Sequence, residues 1–135
     1  MSIADDDTMF ERAPVSLWLE DFSAIRALFE QWRSQGITDL RAHLRADPAR
    51  VAECTRRLVV LKVNRRTLEL YGAADRNELL AGLARIFRDD MFEQHVEELA
   101  ALWDGRSRWT SRSVNYTLAG RRMDIALDAC LLPGH

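Results

Sequence analysis

Between Val59 and Gly72, in the stretch VVLKVNRRTLELYG, the hydrophobic period changes at a single asparagine. Val59, Leu61 and Val63 alternate with Val60 and Lys62 in a β-branched run, the pattern of a strand. From Arg65 onward, Leu68, Leu70 and Tyr71 stand among helix-tolerant residues until Gly72 supplies a C-terminal stop. Asn64 lies at the switch, where its side-chain oxygen can cap the helix while the chain turns sharply. A strand, a cap and a helix in immediate succession follow from local chemistry alone.

The flanking sequence is largely helical. Thr8 and Glu11 have capping-box spacing for a short helix that Pro14 limits. Val15 to Leu19 reads as a first strand. The following DFSAIRALFEQWRSQG carries Phe22, Ile25, Leu28, Phe29 and Trp32 on one helical stripe that Gly36 stops. Thr38 is placed to cap a helix through Leu40 and Leu44, and Asp47-Pro48 opens another through Val51 and Cys54. Beyond the corner, Asp75 and Glu78 repeat the capping-box spacing before Leu79, Leu80, Leu83 and Ile86, with a break at Phe87. Asp90 and Glu93 start a helix that carries Phe92, Val96, Leu99 and Trp103 and ends at Gly105. Two strands, Ser107 to Leu118 and Arg121 to Leu132, flank Ala119-Gly120 as an antiparallel hairpin.

The order strand-Asn-x-x-x-Leu-x-Leu-Tyr-Gly, followed by a capped helix with Glu-Leu-Leu, resembles the second strand and first helix of PAS sensor domains. FERAP at Phe10 to Pro14 resembles the PAS lead-in segment, Asp75 to Phe87 its next helices, and Leu118-Ala119-Gly120-Arg121 the hairpin before its penultimate strand. The resemblance covers most of the chain and implies an α+β fold, an antiparallel sheet with helices on one face. It departs from the family between the first two strands, where Glu20 to Leu58 is helical sequence instead of a tight hairpin. One domain over residues 1–135 is expected, with the first strand and helical insertion in 14–57 and the PAS core in 58–132. A family member would add a fifth strand and a link to an effector domain after His135.

Composition narrows the function classes. With 47% apolar residues and a net charge of -2, the chain has material for a core and no single-sign field that suits nucleic acid or an anionic membrane. No apolar run approaches the roughly 20 residues that cross a bilayer. The acidic start MSIADDDT is unlike a secretion signal, so a cytoplasmic location is expected. Cys54 and Cys130 are far apart, which suits reduced packing residues. His43, His95 and His135 are isolated, and the Asp5-Asp6-Asp7 run reads as a solvated tail, so no metal site is expected. There is no phosphate loop, no Gly-x-Ser-x-Gly elbow and no paired nucleophile, so no catalytic residue is expected in this segment. Trp18, Trp32, Trp103 and Trp109 lack a basic groove and read as core or interface residues rather than base-stacking platforms.

The resemblance also bears on cofactors. Glu78 to Phe87, which corresponds to the flavin-adduct stretch of light-sensing relatives, contains no cysteine, and this excludes that photochemistry. Haem ligation by His95 is disfavoured, because no second ligand or haem motif accompanies it. The ligand of such a sensor is otherwise undetermined.

If a two-residue turn pairs Leu118 with Arg121, then Tyr116 faces Met123, Val114 faces Ile125, Arg112 faces Leu127 and Thr110 faces Ala129. Met123, Ile125 and Leu127 then point inward while Asp124 and Asp128 point to solvent. The expected small-molecule pocket lies between Val63, Val114, Ile125 and Leu127 on the strands and Leu68, Tyr71, Leu83 and Phe87 on the helices. Arg112, Thr110 and the Tyr116 hydroxyl would supply its polar groups. The alternative for Arg112 is to reach solvent or pair with Glu93 or Glu98. The same register sends Trp109 to the outer face, where the resemblance to PAS dimers implies that Met9 and Phe10 cover it, within one protomer or across a homodimer.

The leading expectation is therefore a cytoplasmic sensor and dimerisation module in signal transduction. It would regulate an attached output domain, a two-component histidine kinase first, then a diguanylate cyclase or DNA-binding regulator. The competing expectation is a structural protein-protein interaction module with a filled core. A cavity able to admit a ligand separates the two.

Overall fold

The computed structural model describes residues 3–86 and 91–131, and among them the chain is α+β. The elements run α1 (Ile3–Arg12), β1 (Trp18–Asp21), α2 (Ser23–Ser34), α3 (Leu40–Ala46), α4 (Ala49–Arg57) and β2 (Val59–Val63). They continue with α5 (Arg65–Tyr71), α6 (Arg76–Ala81), α7 (Leu83–Ile86), α8 (Phe92–Trp103), β3 (Arg108–Tyr116) and β4 (Arg122–Cys130). The strands pair as two separate two-stranded antiparallel sheets, β1 with β2 and β3 with β4, where the sequence suggested one continuous sheet. Three helices, α2 to α4, do stand between β1 and β2, as the length and patterning of that insertion required. Phe87, Asp90 and the segment after Leu131 lie outside the described residues. No helix among the described residues is long and apolar enough to cross a membrane.

The chain divides into two compact units, each assembled from three stretches. The first comprises Met1–Glu20, Val60–Arg88 and Asn115–Met123, and the second Asp21–Val59, Asp89–Val114 and Asp124–His135.

The first unit is organised by Asn64, whose side chain is fully buried. Its Oδ1 accepts from Thr67 N at 3.1 Å, which caps α5, and from Thr67 Oγ1 at 2.9 Å and Leu17 N at 3.1 Å. Its Nδ2 donates to Phe10 O at 3.0 Å and Val15 O at 2.8 Å. Asn64 thus ties down the segment before β1, which is why Val15 and Leu17 stand outside the strand that the sequence placed at Val15 to Leu19. Gly72 closes α5 at φ 73°, a left-handed conformation that disfavours side chains with a Cβ. Val60, Val63, Tyr71, Leu79 and Ile86 form the buried core, with Trp18, Leu68, Leu80, Leu83, Leu118 and Met123 packed on it. The α6 start is a capping box in outline: Asp75 Oδ1 accepts from Glu78 N at 2.8 Å, and Glu78 Oε1 accepts from Ala74 N at 3.3 Å.

The second unit is built on the stripe that the sequence displays in α2. Ile25, Leu28, Phe29 and Trp32 are buried with Leu40, Leu44, Val51, Cys54, Val96 and Leu102. Phe92, Leu99 and Trp103 on α8 pack against the same core. Asp39 rather than Thr38 caps α3, its Oδ1 accepting from Ala42 N at 3.1 Å, in keeping with the stronger capping of aspartate. Burial pushes the Cys54 thiol up to about 11, so it is an apolar packing group at neutral pH.

The β3-β4 hairpin corrects the sequence-based register. Gly120 N donates to Thr117 O at 2.9 Å, and Thr117 N donates to Arg121 O at 2.8 Å, so Leu118, Ala119 and Gly120 form a three-residue loop. Gly120 has φ 94°, the left-handed position of a type I turn followed by a bulge. At the other end Leu131 N donates to Ser107 O at 2.8 Å, which preserves the same register along the ladder. Trp109 therefore faces Ala129, Ser111 faces Leu127, Ser113 faces Ile125 and Asn115 faces Met123. On β4 the expected faces hold, with Met123, Ile125 and Leu127 more sheltered than Asp124 and Asp128. On β3 they are exchanged: Trp109, Ser113 and Asn115 are buried, while Thr110 and Arg112 are exposed.

Candidate functional site

The residues expected to line a single apolar pocket are distributed between the two units. Val63, Leu68, Tyr71 and Leu83 belong to the packed core of the first unit, where the Trp18 and Tyr71 rings meet edge-on at 5.7 Å. The Tyr71 hydroxyl accepts from Asn115 Nδ2 at 2.6 Å, and Leu118 N donates to Tyr71 O at 2.9 Å. Burial raises the Tyr71 phenol above its ordinary range, so it stays protonated. Val114, Ile125 and Leu127 are half-buried strand residues of the second unit, and Tyr116 is half-buried in the first. The exposed position of Arg112 fits the solvated alternative rather than an inward polar anchor. Glu93 pairs with Arg45 at 2.9 Å, and Glu98 accepts from Ser111 Oγ at 3.1 Å.

One expected pocket residue, Thr110, shares a cavity with Trp109, which was expected at an interface instead. In the second unit, Trp109 and Thr110 line a space of about 210 Å3 with Ser111 on β3 and Glu97, Glu98 and Ala101 on α8. Arg41 on α3 and Asp104 and Arg106, between α8 and β3, complete the wall. At about 30 Å3 per molecule the space corresponds to roughly seven waters, below the ~300 Å3 at which drug-sized pockets begin. It suits a small polar molecule.

The local chemistry of this wall follows from the chain. The exchanged face of β3 brings Trp109 inward, 8% exposed, and its indole N–H has no hydrogen-bond partner among the described residues. Ser113 Oγ, two residues along the same face, is likewise buried without a partner. Buried donors and acceptors left unpaired are costly, and in folded proteins they are uncommon. Arg41 grips Glu97 with two nitrogens, Nε at 3.1 Å and Nη2 at 3.0 Å, and this contact lowers the Glu97 carboxyl from its ordinary range. Glu98 behaves oppositely: burial raises its carboxyl, and the Ser111 hydroxyl offsets only part of the effect.

That contrast gives a pH prediction. A carboxyl whose folded pKa is raised stabilises the fold below its unfolded value of about 4.3, and that contribution is lost as pH rises through the folded value. Glu98→Gln removes the titration. The stability of the variant relative to wild type should therefore increase from about pH 4.3 toward neutrality, as measured by urea denaturation across pH. A pH-independent difference would show that Glu98 is solvated like an ordinary surface acid.

The sequence missed Arg41, Glu97, Asp104 and Arg106 as lining residues. Their only prior signal was the adjacency of Glu97 and Glu98, which a helix turns toward different neighbours without revealing which meets a base. Glu98, which the sequence offers as a partner for Arg112, meets the Ser111 hydroxyl. His95 is half-buried on α8, and burial lowers its pKa. Among the described residues no cluster of three His, Cys, Asp or Glu side chains gathers as metal ligands do. No family model, no curated protein and no solved structure matches this chain.

Proposed function

We propose that this chain is a cytoplasmic, non-catalytic regulatory module of the PAS type, which binds a small polar molecule and passes its occupancy to an attached output domain. A sensor histidine kinase is the output we favour. The observation that supports ligand binding is the cavity beside Trp109, whose wall carries the desolvated Glu98 carboxyl, hydrogen-bonded by Ser111. The PAS assignment rests on the strand-Asn-helix corner and the terminal hairpin, together with the motifs that resemble that family.

The test is a thermal-shift screen of small polar metabolites against wild type and Ser111→Trp. Ser111 is half-buried, lines the cavity and shares the face of β3 that carries Trp109, so a tryptophan there fills the space. A cognate ligand at a hundredfold excess over its Kd adds about 2.7 kcal/mol and should raise Tm by about 5 °C or more in wild type alone. No shift with any compound, or an equal shift in Ser111→Trp, would discard the cavity as the sensor site.

The structural-module reading has its own support in the first unit, where Val63, Leu68, Tyr71 and Leu83 fill the region the sequence marked as a pocket. Met9, Val15 and Leu61 there are exposed apolar residues and would form the homodimer contact. Phe10 takes part through its ring, which carries the Lys62 ammonium at 4.5 Å. Trp109, being buried, does not serve as that contact. Sedimentation equilibrium of wild type and Leu61→Asp checks this: dimerisation lost in the variant supports the contact, and a wild-type monomer at high concentration removes it.

A further inference from the structure

The lining of the cavity narrows the ligand class, an inference that rests on reading that cavity as a binding site. We propose that it takes a small organic molecule with a protonated amine head, the ammonium lying between the Glu98 carboxylate and the Trp109 ring. Three carboxylates, Glu97, Glu98 and Asp104, face two guanidiniums, Arg41 and Arg106. Arg41 and Glu97 neutralise one another through their two-nitrogen contact. What remains is Glu98 and Asp104 against Arg106, an acidic balance that disfavours an anion.

Glu98 is the residue that most needs such a ligand. An ionised carboxylate offers about four acceptor sites. The hydrogen bond Glu98 receives among the described residues is the one from Ser111 Oγ, at 3.1 Å. An ammonium has three donors and no acceptor, so it matches this deficit, whereas a neutral alcohol would leave the carboxylate's charge uncompensated. Trp109 contributes the indole ring, the aromatic face that attracts a desolvated cation most strongly. Burial also raises the Glu98 carboxyl, and a cation beside it would draw it back to the ionised form. The modest volume limits the ligand to a short amine.

Two sources share this chemistry, a simple alkylamine and an amino-acid zwitterion whose carboxylate would meet Arg106. Titration of the full chain at pH 7 with n-butylamine, 4-aminobutyrate, butyrate and n-butanol distinguishes them. The readout is the indole N–H signal of Trp109 in 1H–15N correlation spectra, assigned by its loss in Trp109→Phe. Saturable shifts with the two amines and none with butyrate or n-butanol are expected. Glu98→Gln, isosteric and relieved of a buried charge, should keep a dispersed spectrum and bind the amines at least tenfold more weakly. Tighter binding of 4-aminobutyrate than n-butylamine, with the difference abolished in Arg106→Ala, identifies the zwitterion; equal binding identifies the simple amine.

Butyrate or n-butanol binding as well as n-butylamine, unchanged amine affinity in Glu98→Gln, or no shift with any of the four would overturn the inference. If a metabolite still stabilises wild type and not Ser111→Trp, the amine class is wrong and the cavity remains a binding site. If that stabilisation also fails, both readings fall.

Discussion

Asn64→Ala should lower the unfolding free energy by about 3 to 4 kcal/mol, well above the typical loss of about 1 kcal/mol for a single substitution. The amide is fully buried and uses both ends: its oxygen accepts from Leu17 N, Thr67 N and Thr67 Oγ1, and its nitrogen donates to Phe10 O and Val15 O. Truncation leaves those backbone groups without their partner inside the protein. Each buried orphan costs about 1 to 3 kcal/mol, and partial relaxation keeps the total below the sum. Thr67 does not compensate, because its single hydroxyl proton is shared between Asn64 Oδ1 and Leu17 O at 3.1 Å, and it can satisfy neither Leu17 N nor the carbonyls that the amide nitrogen held. Asn64→Asp separates the two halves of the amide. It keeps the acceptor and the α5 cap but places a negative oxygen against Phe10 O and Val15 O, so it should be at least as damaging at pH 7 and recover as the pH is lowered. Urea denaturation of the three proteins at two pH values reads both effects. A loss under about 1 kcal/mol for Asn64→Ala would mean that water replaces the amide in this corner.

This corner was legible in the sequence because every cue in it is local. Asparagine caps through its own side chain within three residues, and Gly72 adopts its left-handed conformation without help from elsewhere. The core residues of α2 and α8 were legible for the same reason, since a 3.6-residue stripe is written within one helix. What could not be read from one strand was how it meets another. Ala119-Gly120 invites a two-residue loop, but Leu118 tolerates the first position of a type I turn and joins it, leaving Gly120 as the bulge residue. That single residue shifts the pairing. Asp124 and Asp128 hold β4 to its expected face, so the whole change falls on β3. One of its faces carries Trp109 with Ser111, Ser113 and Asn115, the other Thr110 and Arg112 with Val114 and Tyr116, so neither is apolar enough to decide the matter from sequence.

The candidate site followed that error. Arg112 and the Tyr116 hydroxyl, expected inward, stand outside the cavity, whereas Ser111 and Glu98 line it beside Trp109 and Thr110. Arg41 and Glu97 are 56 residues apart, and only the packing of α3 beside α8 brings them together. Such a pair leaves no trace in local periodicity. The separation of the strands into two sheets was equally hidden, because the tip of the hairpin is held by the end of α5, through Leu118 N to Tyr71 O, instead of by a ladder to another strand.

Phe29→Ala should destabilise the second unit by about 3 to 5 kcal/mol, the range found when a large aromatic side chain is removed from a packed core. Phe29 is 2% exposed, and its ring lies 5.2 Å from Trp103, edge to face, and 5.9 Å from Trp32. Both tryptophans are themselves constrained: the Arg33 guanidinium lies over the Trp103 ring at 4.0 Å, and Trp32 meets the His43 imidazole edge-on at 4.6 Å. Neither ring can readily swing into the vacated space, so the void persists and adds to the lost transfer energy. Phe29→Leu tests this account, since it restores most of the apolar contact and should recover more than half of the loss. Both variants should lower the urea midpoint with little change in the slope. If Phe29→Ala lost less than about 1.5 kcal/mol, the three-ring cluster would have to collapse around the missing side chain, and near-ultraviolet circular dichroism of Trp32 and Trp103 would report that rearrangement directly.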